Sequence, residues 1–181
     1  MRVKNYIQNI NVPEGVSVKL EGTLLTVSKG KESVSRDFKH PKIEIKSETD
    51  KIKFNVELMT KREKTTLGSF TAHVKNMFKG VEKPFVYKLK VCSGHFPMNI
   101  KVSGKELSVK NFIGEKVPRV LDVKEGVDVK VEGEVITVTA ADKELAGQTA
   151  GAIELLCKRP GFDKRIFQQG IYITEKAGKT I

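Results

Sequence analysis

Val12-Pro-Glu-Gly-Val-Ser-Val-Lys-Leu-Glu-Gly-Thr-Leu-Leu-Thr-Val27 aligns without gaps on Val123-Lys-Glu-Gly-Val-Asp-Val-Lys-Val-Glu-Gly-Glu-Val-Ile-Thr-Val138. Ten of the 16 positions are identical, and three of the six differences exchange one branched aliphatic for another. Identity of that density, 111 residues apart, points to a duplicated unit. Val16, Val18 and Leu20 alternate, as do Val127, Val129 and Val131. Period two puts each set on one face of a strand. Glu21-Gly22 and Glu132-Gly133 break each strand, and Leu24 to Val27 or Val135 to Val138 resume it. Each copy therefore reads as a β-hairpin with one apolar face. A lone hairpin is marginal in water, so each must pack on something more.

Helices follow. Leu67, Phe70, Val74, Met77 and Phe78 recur at helical spacing and predict a helix from Thr65 to Lys79, with Gly80 as its stop. Ala146, Ala150, Ile153, Leu156 and Cys157 share a face of a second helix, Lys143 to Lys158. Asp142 is its expected N-cap, and Pro160-Gly161 ends it. Further strand-like runs cover Ile43 to Lys46, Ile52 to Leu58, Val86 to Val91, Ile100 to Val102 and Leu107 to Val109. The expected class is α+β: two tandem similar domains, each a small, mainly antiparallel sheet with a helix packed on one face. The boundary is placed at Val81-Glu82-Lys83-Pro84, giving domains 1–82 and 83–181, the second with a basic C-terminal tail.

Lysine and arginine number 33 against 22 acidic residues in 181, a net charge of +11. A positive field of this size favours an anionic partner, nucleic acid first and an anionic membrane second. No apolar run approaches the roughly 18 to 20 residues that span a bilayer. Met1-Arg2-Val3-Lys4-Asn5 lacks the apolar stretch of an export signal. Two cysteines, Cys92 and Cys157, fit a reducing compartment better than a disulfide scaffold. Aromatics are 7% and tryptophan is absent, which disfavours a stacking platform for single-stranded RNA.

Reactive chemistry is sparse. His40, His73 and His95 are far apart in sequence. Cys92 and His95 fall short of a four-ligand zinc site, so no metal and no cofactor is expected. Gly178-Lys179-Thr180 imitates the end of a P-loop but lacks its first glycine and its helix. Without a nucleophile–base set, an enzyme acting on a polyanion has no machinery. Basic clusters carry more information. Residues 60–90 hold eight basic against two acidic residues, and residues 156–181 hold six against two. The second cluster contains Pro160, Gly161, Gly170 and Gly178, so a cationic loop and tail able to mould to an irregular surface is expected. The same lysines also serve solubility.

Arg165-Ile-Phe-Gln-Gln-Gly-Ile-Tyr-Ile-Thr-Glu-Lys176 resembles the C-terminal signature of large-subunit ribosomal protein L-six, in its archaeal and eukaryotic branch. Arg36-Asp37-Phe38, His73 to Val81, Gly94 to Asn99 and Asn111 to Lys116 resemble other segments of that family, in the same order. The likeness covers nearly the whole chain. Where the family usually has Asp before the tail glycine, this chain has Gln169, which still accepts hydrogen bonds but carries no charge.

The resemblance implies a cytoplasmic, non-enzymatic constituent of the large ribosomal subunit that binds 23S-class rRNA near the stalk base and sarcin–ricin loop. Its neighbours would be other large-subunit proteins, including those of the stalk base, with translational GTPases nearby and no membrane. Expected rRNA contacts are Lys158, Arg159, Lys164, Arg165, Gln169, Gly170, Tyr172, Lys176 and Lys179, with Lys116 from a central loop. His73, Asn76, Lys79 and Arg62 are candidates for a secondary contact with RNA or protein. Phe167 either stacks on a base or anchors the tail, and its apolar alternation favours the anchor. A non-ribosomal RNA-binding or RNA-chaperone module is the alternative that shares the charge.

Overall fold

The computed structural model describes residues 3–30, 32–48, 51–163 and 165–181. The chain divides into two units, Met1–Lys83 and Pro84–Ile181. The first contains β1 (Val3–Asn11), β2 (Ser17–Glu21), β3 (Leu24–Lys29), β4 (Glu32–Asp37), β5 (Glu44–Ser47), β6 (Lys51–Met59) and α1 (Lys61–Glu82). Its strands form two antiparallel three-stranded sheets, ordered β1-β6-β5 and β2-β3-β4. The second contains β7 (Phe85–Cys92), β8 (Asn99–Ser103), β9 (Glu106–Lys110), a 3-10 turn at Phe112–Gly114, β10 (Arg119–Asp122), β11 (Val127–Glu132), β12 (Val135–Ala140), α2 (Lys143–Leu156), β13 (Gly170–Lys176) and β14 (Lys179–Thr180). Its sheets are ordered β10-β9-β8 and β11-β12-β7-β13-β14.

The α+β class and the antiparallel pairing agree with the sequence expectation, but each unit carries two sheets rather than one. The duplication also has a different register. Advancing by six strands turns β1-β6-β5 into β7-β12-β11 and β2-β3-β4 into β8-β9-β10. The structural partner of the first hairpin is therefore β8–β9, and the Val123–Val138 copy lies at β11–β12. Gly22, Leu25 and Val27 correspond to Gly104, Leu107 and Val109, and the helix N-caps Thr60 and Asp142 keep the same 82-residue spacing. The gapless repeat equates two non-equivalent hairpins because both need the same local chemistry. Each has a two-residue loop whose first residue, Gly22 or Gly133, takes φ near 60°. That is the position where a type II′ turn selects glycine.

In the first unit Leu25, Val27, Ile52, Phe54 and Val56 are fully buried beneath α1. Phe38 stands edge-on to both Phe54 and Phe70, with centroids 6.0 and 5.1 Å away. In the second, Leu89, Leu107, Ile136, Val138, Ala146, Ala150, Ile153 and Ile171 form one core. A buried aliphatic side chain of this kind contributes roughly 1.5–3 kcal/mol relative to exposure.

Helix ends obey capping chemistry more closely than apolar spacing. α1 starts at Lys61, ahead of the expected Thr65, because Thr60 and Glu63 make a capping box. It runs through the buried Gly80 and stops at Glu82, since Lys83 precedes Pro84 and adopts the extended backbone that proline imposes on its predecessor. α2 starts at Lys143 under the Asp142 cap as expected, but ends at Leu156. The largest difference is in the tail. Gly170–Lys176 is a strand inside the sheet, paired with β7, and Ile171 is only 1% exposed. A mouldable loop is confined to the stretch between α2 and Gly170.

Glu63 is 6% exposed, and its carboxyl is held down to about 2, first by the Thr60 hydroxyl and then by the Thr60 backbone N–H. The folded value lies below the ordinary 4.5, so its stabilisation is complete above that value and is lost as pH falls from about 4.5 toward 2. Glu63→Gln keeps a capping-box partner but cannot titrate, so urea unfolding should show a shallower loss of stability across that window. Thr60→Ala should cost about 0.5–2 kcal/mol at neutral pH. Identical acid limbs for wild type and Glu63→Gln would refute the assignment.

Candidate nucleic-acid interface

The site is built where α2 ends. The last carbonyls of a helix lack partners within it. Here the Arg119 guanidinium, from the start of β10, supplies a partner for the last one: Nη1 donates to the Leu156 carbonyl at 2.6 Å and also reaches the Lys158 carbonyl, just past the helix, at 3.5 Å. Its other edge grips Glu115 in a fork, Nε to Oε2 and Nη2 to Oε1, both at 2.8 Å. The guanidinium face lies 4.4 Å from the centre of the Phe112 ring. Hydrogen bonding to Arg119 holds the Glu115 carboxyl below its usual range, and Glu115 raises Arg119 in turn. Each therefore favours the charged form of the other.

Arg159 extends this network. Its Nη1 lies 3.7 Å from Glu115 Oε1, and its guanidinium sits 4.5 Å over the Phe162 ring. Phe162 meets Phe167 edge-on at 4.7 Å. Between them Asp163 organises a turn: its carbonyl accepts the N–H groups of Ile166 and Phe167, and its carboxylate accepts the Arg165 backbone N–H and guanidinium. That pairing lowers the Asp163 carboxyl. Arg165 itself is 89% exposed. Phe167 remains 43% exposed, so it packs on another surface ring and is not a core anchor.

Glycine at 170 lets the Tyr172 ring pack closely on the backbone. A Cβ there would lie 3.1 Å from the Tyr172 ring, which covers it. Tyr172 is half-buried, and burial raises its hydroxyl pKa. Gln169 is also half-buried, with its Oε1 buried and lacking a hydrogen-bond partner. Leaving such an acceptor unpaired costs about 1–3 kcal/mol. Backbone strain collects nearby: Asn111 and Ile113 take φ of 62° and 49°, rare for a β-branched residue such as Ile113.

The fold brings Lys158, Arg159, Gln169, Gly170 and Tyr172 together around one cleft of about 190 Å³, whose walls include Phe112, Phe162 and Phe167. A second concavity, lined by Cys92 to His95 and Ile166 to Gln169, lies across the same segment. Lys116 is exposed beside Glu115. Lys176 and Lys179 are exposed and face each other directly across the β13–β14 hairpin, outside the cleft. Lys164 lies outside the described residues. Arg62, His73, Asn76 and Lys79 belong to α1 in the first unit, His73 and Asn76 half-buried, Arg62 and Lys79 exposed. Sequence reasoning missed Glu115, Arg119 and Phe162. The one available signal was an acid and an arginine four apart within a loop, where no regular element would pair them.

Among the described residues no helix is long and apolar enough to cross a membrane, and no cluster of three or more potential metal ligands occurs.

The family model described as Ribosomal protein L6 matches residues 12–83 and 96–170. The Large ribosomal subunit protein uL6 of Methanococcus vannielii is 42% identical over 174 residues, covering 96% of each chain. That of Sulfurisphaera tokodaii is 41% identical over 177 residues, 97% of this chain and 95% of its own. That of Methanosarcina mazei is 42% identical over 175 residues, 97% of this chain and 99% of its own. With the family match present in both units and these archaeal likenesses running nearly end to end, the chain belongs to the ribosomal protein L6 family, in its archaeal and eukaryotic branch.

Proposed function

We propose that this protein is a structural constituent of the large ribosomal subunit and binds 23S-class rRNA chiefly through its second unit. Family membership makes it a ribosomal structural protein, not an enzyme, and places it on the cytoplasmic ribosome. The finer address, near the stalk base and sarcin–ricin loop where translational GTPases dock, rests on the family likeness. The observation that carries the rRNA contact is the Arg119–Glu115–Arg159 network. It fixes the backbone from which Lys158 and Arg159 project.

Phosphate neutralisation and counterion release supply the binding energy. A duplex RNA hides its base edges in a deep groove, so shape, phosphate and 2′-OH contacts do the positioning. Arg159 and Arg165 are pre-oriented by Glu115 and Asp163 and suit bidentate phosphate contacts. Lys116, Lys158, Lys176 and Lys179 are exposed and hold no ion pair among the described residues. Lys176 and Lys179 repel across their hairpin, and an interposed phosphate relieves that repulsion. Gln169, Gly170 and Tyr172 complete this surface, and Lys164, outside the described residues, is kept as a further rRNA contact from the sequence alone. Arg62, His73, Asn76 and Lys79 on α1 provide a secondary contact with RNA or a neighbouring ribosomal protein.

Titration of the purified protein against large-subunit rRNA over a salt series should show affinity falling steeply as salt rises. Arg159→Ala with Arg165→Ala should weaken binding and flatten the log–log salt slope by about one for each phosphate left without its arginine. Arg119→Met should weaken binding with the slope unchanged, because it displaces the contacting backbone without touching phosphate. Equal affinity of wild type and the double variant at every salt concentration would overturn the assignment. Association with large subunits that survives a high-salt gradient separates this role from that of a mobile RNA chaperone.

A further inference from the structure

We infer that the cleft at the end of α2 receives one unpaired nucleobase of the bound RNA. This rests on the rRNA-binding role proposed above and adds a base pocket to it. At about 190 Å³ the cleft falls below the roughly 300 Å³ at which pockets begin to take drug-sized molecules, so it suits a single planar ring system. Its walls concentrate rings in a chain that has few: aromatics are 7% of the sequence, yet Phe112, Phe162, Phe167 and Tyr172 all line it. Phe167 leaves 43% of its surface exposed, while the Asp163 carbonyl holds its backbone N–H at 2.8 Å. A phenyl ring held at the surface offers the face on which a base stacks, and such stacking tolerates any base.

The mouth is charged to match the rest of the nucleotide. Lys158 and Arg159 both line the cleft, and Arg159 is held by the Phe162 ring on one side and Glu115 on the other. The phosphates flanking an inserted base would meet these cations. A neutral apolar side chain from a protein partner would leave them idle. The interior adds selectivity. Glu154, whose Oε1 accepts the Ile173 backbone N–H at 3.4 Å, and Gln169, whose Oε1 has no partner, are both acceptors. The acceptor-only Glu154 carboxylate favours a base with an exocyclic amino group, adenine, cytosine or guanine, over uracil.

The test uses the full chain and large-subunit rRNA transcribed in vitro. Hydroxyl-radical cleavage reads the backbone footprint, while dimethyl sulfate and kethoxal read the Watson–Crick edges of unpaired adenine, cytosine and guanine. At saturating wild-type protein we expect a backbone footprint with one amino-bearing base protected inside it. Phe162→Leu with Phe167→Leu, and Phe167→Ala alone, should expose that base and weaken binding by roughly 5- to 100-fold, the loss of one base–aromatic stack. Phe167→Tyr should retain the protection. Phe167→Ala removes only a surface ring, so it guards against a folding artefact. A backbone footprint with no base sensitive to these variants would overturn the pocket alone and point to a protein on that face. No backbone footprint at all would overturn the rRNA role, and the pocket with it.

Discussion

The fork between Arg119 and Glu115 is the contact on which the second unit's working surface depends. A guanidinium offers donors in a fixed plane, and here two go to a carboxylate while the opposite edge takes the carbonyls of Leu156 and Lys158. The cation thus meets the negative end of the α2 dipole and ends the helix at a defined place. Both side chains are about three-quarters buried, at 24% and 28% exposure. Such desolvation is tolerable only because the donors and acceptors are matched. Removing either partner would strand a charge and release the segment that follows α2. The Glu115 carboxylate then passes order outward: it holds Arg159, Arg159 covers Phe162, and Phe162 supports Phe167.

Much of this architecture was legible in the residues. Alternation of Val16, Val18 and Leu20 located a strand face, and Asp142 marked the start of α2 to the residue. What misled was local likeness taken for positional equivalence. Glu-Gly before a branched aliphatic run is what a tight hairpin needs, and hairpins at non-equivalent places, β2–β3 and β11–β12, both use it. The strand at Gly170–Lys176 was hidden by its charge and glycines, although Ile171 and Ile173 carry the alternation of a buried strand. The cleft was illegible for a different reason. Its walls come from the 3-10 turn, the end of α2, the following loop and β13, separated by up to some sixty residues in sequence. No periodicity within one segment encodes such a meeting.

The cations divide into two kinds. Arg159 and Arg165 are tied to carboxylates, and the exposed lysines are untied. A tied arginine presents its fork in a set direction, so less freedom is given up when a phosphate arrives. Its acidic partner reduces the local charge in exchange. Exposed lysines contribute undirected attraction that salt screens. The surface therefore combines a few oriented contacts with a diffuse field from a chain whose net charge is +11. Geometry from the first kind and encounter rate from the second are separable, because the first depends on the carboxylates Glu115 and Asp163 and the second on charge alone.

The asymmetry between the units follows from one added piece of chain. In the first unit β1 is an edge strand, flanked among the described residues by β6 alone, and Asn5 at φ 52° interrupts its pairing. Such an irregularity makes an edge a poorer template for further strands. In the second unit the corresponding strand, β7, is covered on its far side by β13. To reach that position from the end of α2, the chain must travel from Cys157 to Gln169 across the outside of the core. That crossing carries Arg159, Phe162, Arg165 and Phe167. The same step therefore covers the free edge of β7 and supplies a cationic, aromatic surface beside it. The first unit ends with its helix at Glu82 and has no such crossing among the described residues, so its candidate contacts Arg62, His73, Asn76 and Lys79 lie on α1.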